Sequence, residues 1–140
     1  MSRRGLDVLA AVPLFAGLPK RSLRKILDVA EEARFMEGAR IVKQGERGDS
    51  FFVILAGEAK VENAKGRTIG HLFPGDFFGE ISLLDGGPRS ATVVAVTPLA
   101  TIILERGPFN RMLEQDAGIG ATMLKELAIR LRRAERPIGG

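Results

Sequence analysis

Residues 75–93 read GDFFGEISLLDGGPRSATV and interrupt a series of segments with β-strand patterns. Glycines stand at positions 75, 79, 86 and 87, where the backbone can adopt positive φ or approach a ligand closely. The stretch also places an acid, Glu80, directly after a glycine, and a base with a hydroxyl, Arg89-Ser90, at the start of the next predicted strand. This combination predicts a loop that binds a ligand between strands.

The side chains of this stretch indicate which ligand. Arginine presents a planar fork of donors that fits two phosphate oxygens at once. A glutamate is a poor phosphate ligand but a good acceptor for a sugar hydroxyl, and backbone N–H groups around residues 79–82 can hold an anion at the start of a short helical turn. The stretch therefore predicts a pocket for a molecule that carries both a phosphate and a hydroxylated sugar.

The run FGEISLLDGGPRSATV, residues 78–93, resembles the phosphate-binding cassette of cyclic nucleotide-binding domains. These domains occur in catabolite-activator-type regulators, cyclic nucleotide-gated channels and the regulatory subunits of cyclic-nucleotide-dependent kinases. The family pattern is F-G-E-(I/L)-(S/A)-L-L, a short tip, and P-R-(S/T/A)-A-(T/S)-V, and every part of it is present. The resemblance extends from Val12-Pro13-Leu14-Phe15 to the last predicted helix.

The resemblance implies a role for each residue of the predicted site. Arg89 would pair with the cyclic phosphate, and Glu80 would accept a hydrogen bond from the ribose 2′-hydroxyl. Gly79, Ile81 and Ser82 would donate backbone N–H groups to the phosphate or the ribose. Ser90 would add a hydroxyl and Ala91 a backbone N–H at the phosphate, and Phe78 begins the motif. The Phe78 side chain is expected in the core. Serine at position 90 favours cAMP, and cGMP remains open.

One further ligand contact is predicted in the last helix. By alignment with Leu-Ala-x-Arg-Leu in catabolite-activator-like proteins, Arg130 could cover the base, although a solvated arginine on a basic helix fits as well. Ala134 and Glu135 depart from the hydroxyl pair that those regulators place next. The departure argues against their particular mode of adenine recognition and against the associated dimer contact.

Length and composition predict one domain, residues 1–140, that buries a core. Apolar residues make up 45% of the chain, and no run reaches the length of a membrane span. The N-terminus has no signal-peptide pattern. The chain has no cysteine, which excludes a disulfide framework and is consistent with a reducing, cytoplasmic location.

Charge is spread unevenly along the chain. The net charge is +4, but residues 26–104 carry eight bases and eleven acids. An anion bound there must be held by local donors, and a footprint on nucleic acid would need the opposite distribution. The basic ends could contact a partner or an acidic membrane surface, although solvated helix faces explain them more simply. We therefore expect neither nucleic acid as a partner nor membrane insertion.

Short strands at regular spacing predict a sandwich or jelly roll. The resemblance implies an α+β fold of the jelly-roll type, the cyclic nucleotide-binding β-roll, between helical ends. Residues 1–33 should form helices, 34–105 the β-roll with its cassette at 75–93, and 106–136 the C-terminal helices. Predicted strands lie at 40–43, 51–56, 58–62, 68–73, 90–96 and 99–105. Short helices are predicted before Pro13, after Pro19 and at Phe109–Leu113, and a long one from about Ala117 to Arg136 with Leu131 on the same face as Ile119 and Met123.

The expected function is that of a cyclic-nucleotide sensor without enzymatic activity, since metal clusters, Walker loops and nucleophile elbows are absent from the sequence. The ligand would close the last helix over the β-roll and signal to an attached effector or a homodimer through that helix. Two alternatives stay open. One is a sensor fragment of a DNA-binding regulator or channel, although residues 137–140 leave no room for a helix-turn-helix. The other is an interaction domain that binds no nucleotide, which intact Glu80 and Arg89 argue against.

Overall fold

The computed structural model describes residues 3–15, 17–79 and 86–135. In this part of the chain, helices stand at both ends of eight antiparallel strands. The helices are α1 (Arg3–Ala10), α2 (Lys20–Val29), α3 (Arg106–Gln115) and α4 (Ala117–Glu135), with a 3₁₀ turn at Pro13–Phe15. The strands are β1 (Glu31–Phe35), β2 (Arg40–Val42), β3 (Ser50–Ala56), β4 (Ala59–Glu62), β5 (Thr68–Leu72), β6 (Phe77–Phe78), β7 (Thr92–Ala95) and β8 (Leu99–Glu105).

The strands form two four-stranded sheets that pack face to face as a jelly roll. The helix-side sheet has the order β1-β8-β3-β6, and the pocket-side sheet has the order β2-β7-β4-β5. Pairing in both sheets is antiparallel, with Phe52 opposite Ile103 and Lys60 opposite Val94 as representative partners. The predicted fold class is confirmed.

Strand β3 shows why the helix-side sheet is the middle layer of the molecule. Its apolar run is buried on both faces, as the sequence predicts for a strand with no alternation. Phe51 and Val53 face the core that the helices cover, while Phe52 and Ile54 face the pocket-side sheet. One strand therefore contributes to two separate clusters of apolar side chains.

The N-terminal helices bury one face each because their apolar residues recur at helical spacing. In α2, Leu23, Ile26 and Leu27 are buried, and the basic residues of the opposite face are exposed. The Pro19 N-cap adopts an extended conformation and starts this helix. The helical side of the molecule thus follows the predicted pattern.

Several boundaries differ from the prediction. Strand β1 begins at Glu31, inside the segment expected to be helical, and the sequence hides it because its first two residues are exposed glutamates with low strand propensity. Helix α3 begins at Arg106 and not at Phe109, since Pro108 is tolerated in a first helical turn. Strand β7 begins at Thr92, two residues after the predicted start.

Leu131 shares the predicted apolar face of α4 but is not buried with it. Its side chain is 59% exposed, although it shares the helical spacing of Ile119 and Met123, which are buried. Helix α4 is longer than the surface against which it packs, so its apolar pattern continues past its last buried turn.

Candidate functional site

A cavity of about 240 Å³ lies at one end of the space between the two sheets. Its walls come from strands of both sheets and from the predicted cassette on either side of residues 80–85. The lining residues are Val42, Val61, Leu72, Phe77, Phe78, Gly79, Pro88, Arg89, Ser90, Ala91 and Val93. Among these described residues the cavity wall is largely apolar, and Arg89 is the one charged side chain.

That charged side chain, Arg89, is held in a cradle built mainly from β3 and two glycines. Its Nη1 donates a hydrogen bond of 2.8 Å to the carbonyl of Ser50, and its Cζ lies 5.9 Å from the centre of the Phe52 ring. A Cβ at Gly48 would overlap the guanidinium, and a Cβ at Gly79 would lie 2.7 Å from Nη1. The guanidinium therefore fits only because both flanking backbone positions lack a side chain.

Backbone hydrogen bonds fix the chain around Arg89 on both sides. Its N–H donates to the carbonyl of Glu46 over 2.8 Å, and its carbonyl accepts from Gly45 N over 2.9 Å. Gly48 N donates to the carbonyl of Gly87 over 3.3 Å. Arg47 and Pro88 form an isolated antiparallel bridge between the same two segments. The turn before β3 therefore holds the segment that carries Arg89.

The electrostatics of Arg89 are those of a buried cation that forms no ion pair with another described residue. Its exposed fraction is only 9%, and it takes part in no ion pair between described residues. Burial lowers the pKa of Arg89, while the nearby charges of Asp49 and then Glu105 raise it. Arginine stays protonated in proteins, so a positive charge faces the cavity at neutral pH.

The structure brings five of the nine predicted site residues to the cavity wall: Phe78, Gly79, Arg89, Ser90 and Ala91. The Phe78 ring also stacks on Phe52 with centroids 4.8 Å apart, which is the core role expected for its side chain. Glu80, Ile81 and Ser82 lie outside the described residues, as does the side chain of Arg130. Their predicted contacts with ligand stay predictions.

Sequence reasoning missed the residues that hold Arg89. Gly48, Ser50 and Phe52 lie about forty positions before it, so their role depends on how β3 pairs and not on a local motif. The sequence of residues 45–50, before β3, predicts a turn but gives no sign that the turn contacts Arg89. A glycine next to a predicted strand was the available signal, since such a position allows close approach of another group.

Helix α4 does not contribute to the cavity through any residue whose side chain is described. It packs instead against the 3₁₀ turn on the other side of the helix-side sheet, with Ile119 and Met123 buried in the N-terminal core. In this arrangement the predicted closing helix lies beside the helical core and not over the pocket.

Two other kinds of site, a metal cluster and a membrane-spanning helix, are absent from the described ranges. Residues 3–15, 17–79 and 86–135 contain no group of three or more His, Asp or Glu side chains that could hold a metal ion. Within those ranges, none of the helices combines the length and apolar character that crossing a bilayer would require.

Comparison with known proteins agrees with this geometry. The chain is 38% identical over 121 residues to a cAMP-dependent protein kinase regulatory subunit of Colletotrichum orbiculare, a match that spans 84% of this chain but 31% of that protein. The N-terminal domain of a transcriptional regulator from Streptomyces coelicolor A3(2) superimposes with a TM-score of 0.86 at 29% identity, over 92% of this chain and 95% of the other. A cAMP-bound PfPKA-R structure gives 0.68 at 28% identity, over 88% and 46%.

A family model described as the cyclic nucleotide-binding domain matches residues 32–116. The matched range runs from β1 to the end of α3 and includes the whole cassette and the cavity wall. The chain belongs to the cyclic nucleotide-binding domain family.

Proposed function

We propose that this domain binds cAMP in the cavity between its sheets, with Arg89 on the cyclic phosphate and Glu80 on the ribose 2′-hydroxyl. One observation carries the proposal: a guanidinium that is buried, faces a cavity and lacks a carboxylate partner among the described residues. A cyclic phosphate supplies one negative charge on two exocyclic oxygens, which matches the arginine fork.

The apolar walls of the cavity supply binding free energy that Arg89 alone does not. A charge-assisted hydrogen bond contributes about 1.5–3 kcal/mol, whereas micromolar binding requires about 8 kcal/mol. Arg89 therefore fixes the phosphate, and the remaining affinity comes from burying the sugar and base against Val42, Val61 and Leu72 and from the backbone donors of the cassette. Ser90, at the cavity wall, adds a hydroxyl next to the phosphate.

The proposed role is regulatory. Ligand binding shifts the population of the domain toward a state in which α4 packs over the base, because the ligand contacts α4 only in that state. The change is passed to an attached effector or to a second copy through α4. The relatives support a sensor module of this kind, since the chain spans 31% of the kinase regulatory subunit that it resembles and 95% of the regulator's N-terminal domain.

Isothermal titration with cAMP, cGMP and 5′-AMP tests the proposal. We expect cAMP to bind most tightly, because the open phosphate of 5′-AMP carries an additional charge that the single guanidinium does not match. Binding of 5′-AMP alone would assign a different class of ligand. If none of the three nucleotides binds, the domain is an interaction module. Either of these outcomes contradicts the proposal.

A second titration, with 2′-deoxy-cAMP, tests the role of Glu80. A carboxylate that loses its hydroxyl partner is left unsatisfied at a cost of about 1–3 kcal/mol, so we expect the deoxy compound to bind at least about fivefold more weakly. Equal affinity for both compounds would remove the sugar contact from the proposal and leave the phosphate contact standing.

A further inference from the structure

Asp116 separates α3 from α4 and sets where the chain changes direction. Its backbone, at φ −137° and ψ 85°, is not helical. Its N–H still donates to the carbonyl of Met112 over 3.0 Å, and its carbonyl accepts from Ile119 N over 3.2 Å. The two helices are therefore joined through one non-helical residue that hydrogen bonds to both.

The Asp116 side chain is tied to a helix from the other end of the chain. Lys25 Nζ, on α2, lies 2.9 Å from Asp116 Oδ2, and the two residues are 91 positions apart. The same carboxylate lies beside the first turn of α4, where the backbone N–H groups of Ile119 and Gly118 help to lower its pKa, and an added Cβ at Gly118 would lie 3.3 Å from its Oδ1. One carboxylate thus contacts α2 and the start of α4 together.

No other ion pair of the described residues makes a comparable connection. Lys60–Glu62 and His71–Glu58 both lie within or beside the pocket-side sheet. Across residues 3–15, 17–79 and 86–135, Lys25–Asp116 alone joins the N-terminal helices to the C-terminal helices by an ion pair.

The far half of α4 has little else to hold it. Ile119 and Met123 anchor its first two turns in the N-terminal core, and Leu127 packs against that core from the third turn. Beyond Leu127, Leu131 is 59% exposed. A 19-residue helix is about 28 Å long, so a rotation of about 10° at its start would move its far end by about 5 Å. The direction of α4 is therefore sensitive to contacts at Asp116.

We propose that the Lys25–Asp116 ion pair is a positioning contact that sets the direction in which α4 leaves α3. Through it, α2 controls the position of the helix that would close over the pocket; this second statement rests on the proposed function. A surface ion pair contributes little to the stability of a domain, but a contribution of that size can change the population of two helix directions by up to about fivefold.

Distance measurement between spin labels tests the contact directly. The chain has no cysteine, so Met36→Cys in the β1–β2 turn and Leu131→Cys near the end of α4 give two unique, exposed sites. Double electron–electron resonance on this doubly labelled protein reports the position of α4 relative to the sheets. The test variants are Lys25→Met and Asp116→Asn, and Lys20→Met is the control on the exposed face of the same helix.

We expect the main distance to shift or broaden by about 5 Å in Lys25→Met and in Asp116→Asn, to change no further when both are combined, and to stay unchanged in Lys20→Met. An unchanged distance in Lys25→Met overturns the proposal. An Asp116→Asn effect that adds to that of Lys25→Met also overturns it, because Asp116 would then act only as a cap of α4.

Titration of the same variants with cAMP separates this proposal from the proposed function. The distances are measured without nucleotide, so a wild-type protein that fails to bind cAMP contradicts the proposed function and leaves the distance test valid. Where cAMP binds, we expect Lys25→Met to change its affinity by up to about fivefold. Binding that is intact with an unchanged distance contradicts the positioning contact alone.

Discussion

The two faces of the helix-side sheet differ in what they bury. On the helical face, Phe51, Ile102 and Phe109 belong to a large cluster of buried apolar side chains. On the other face, a smaller cluster around Phe52 ends at a cavity with the buried cation of Arg89. The difference indicates that the helical face contributes most of the stability, while the pocket face carries a charge that a ligand would neutralise.

Removal of a large side chain from the helical core should cause the largest change, a loss of stability. Phe109 is fully buried, so Phe109→Ala should lower the free energy of unfolding by about 3–5 kcal/mol, measured by urea denaturation. Phe73→Ala removes the same ring from an exposed position and should change stability by less than about 0.5 kcal/mol. Equal losses in the two variants would contradict the assignment of stability to the helical core.

A side chain at Gly48 should damage the pocket and spare the helical core. The added methyl group of Gly48→Ala overlaps the guanidinium, and Arg89 must move because its flexible end yields more easily than the backbone. Loss of its phosphate contact, about 1.5–3 kcal/mol, should weaken cAMP binding about 10- to 150-fold in calorimetry.

Gly120→Ala is the matched control for this variant. Gly120 lies inside α4 with ordinary space around a Cβ, the nearest atom being Leu113 Cδ2 at 3.8 Å. The variant should keep its affinity and gain about 0.5–1 kcal/mol of stability from helix propensity. Unchanged cAMP affinity in Gly48→Ala would show that the cradle does not position Arg89.

The smallest effect is expected at the Lys25–Asp116 ion pair, as a function of pH. The hydrogen bond from Lys25 is the main cause that lowers the pKa of Asp116 below its ordinary value. A carboxylate with a lowered folded pKa stabilises the protein above its unfolded pKa of about 3.9 and loses this contribution as pH falls through the folded value. Asp116→Asn should therefore unfold at lower urea than wild type at about pH 7 and match it at about pH 2.5.

The control for the pH experiment is Asp28→Asn, since Asp28 is an exposed carboxylate of α2 that forms no ion pair between described residues. It should show no pH-dependent difference from wild type. A difference between Asp116→Asn and wild type that persists unchanged at about pH 2.5 would mean that the stabilisation does not come from the charge.

Local patterns in the sequence were enough for the jelly roll and for the placement of Arg89. The unbroken apolar run of β3 predicts burial on both faces, and the cassette motif places Arg89 next to a strand. The start of strand β1 was missed because it depends on pairing with β8. Only Ala33 and Phe35 of this strand are partly buried, and the two exposed glutamates before them give no strand pattern. The cradle of Gly48 and Ser50 depends on contacts across about forty residues, which no local pattern contains.

The exposure of Leu131 could not be predicted from the sequence for a related reason. Helical periodicity shows which residues share a face of α4, but the length of the surface beneath the helix is a property of the packed core. Ile119 and Met123 pack in the same core as the 3₁₀ turn, whereas the apolar spacing of α4 continues to Leu131, beyond the surface that the helix covers.

Calorimetric titration of Arg89→Ala with cAMP tests the central claim most directly. Arg67→Ala is the control, since it removes an exposed arginine from the β4–β5 turn, and circular dichroism verifies that both variants are folded. The account predicts that cAMP affinity falls about 10- to 150-fold in Arg89→Ala and is unchanged in Arg67→Ala. A folded Arg89→Ala variant that binds cAMP as tightly as wild type would contradict it.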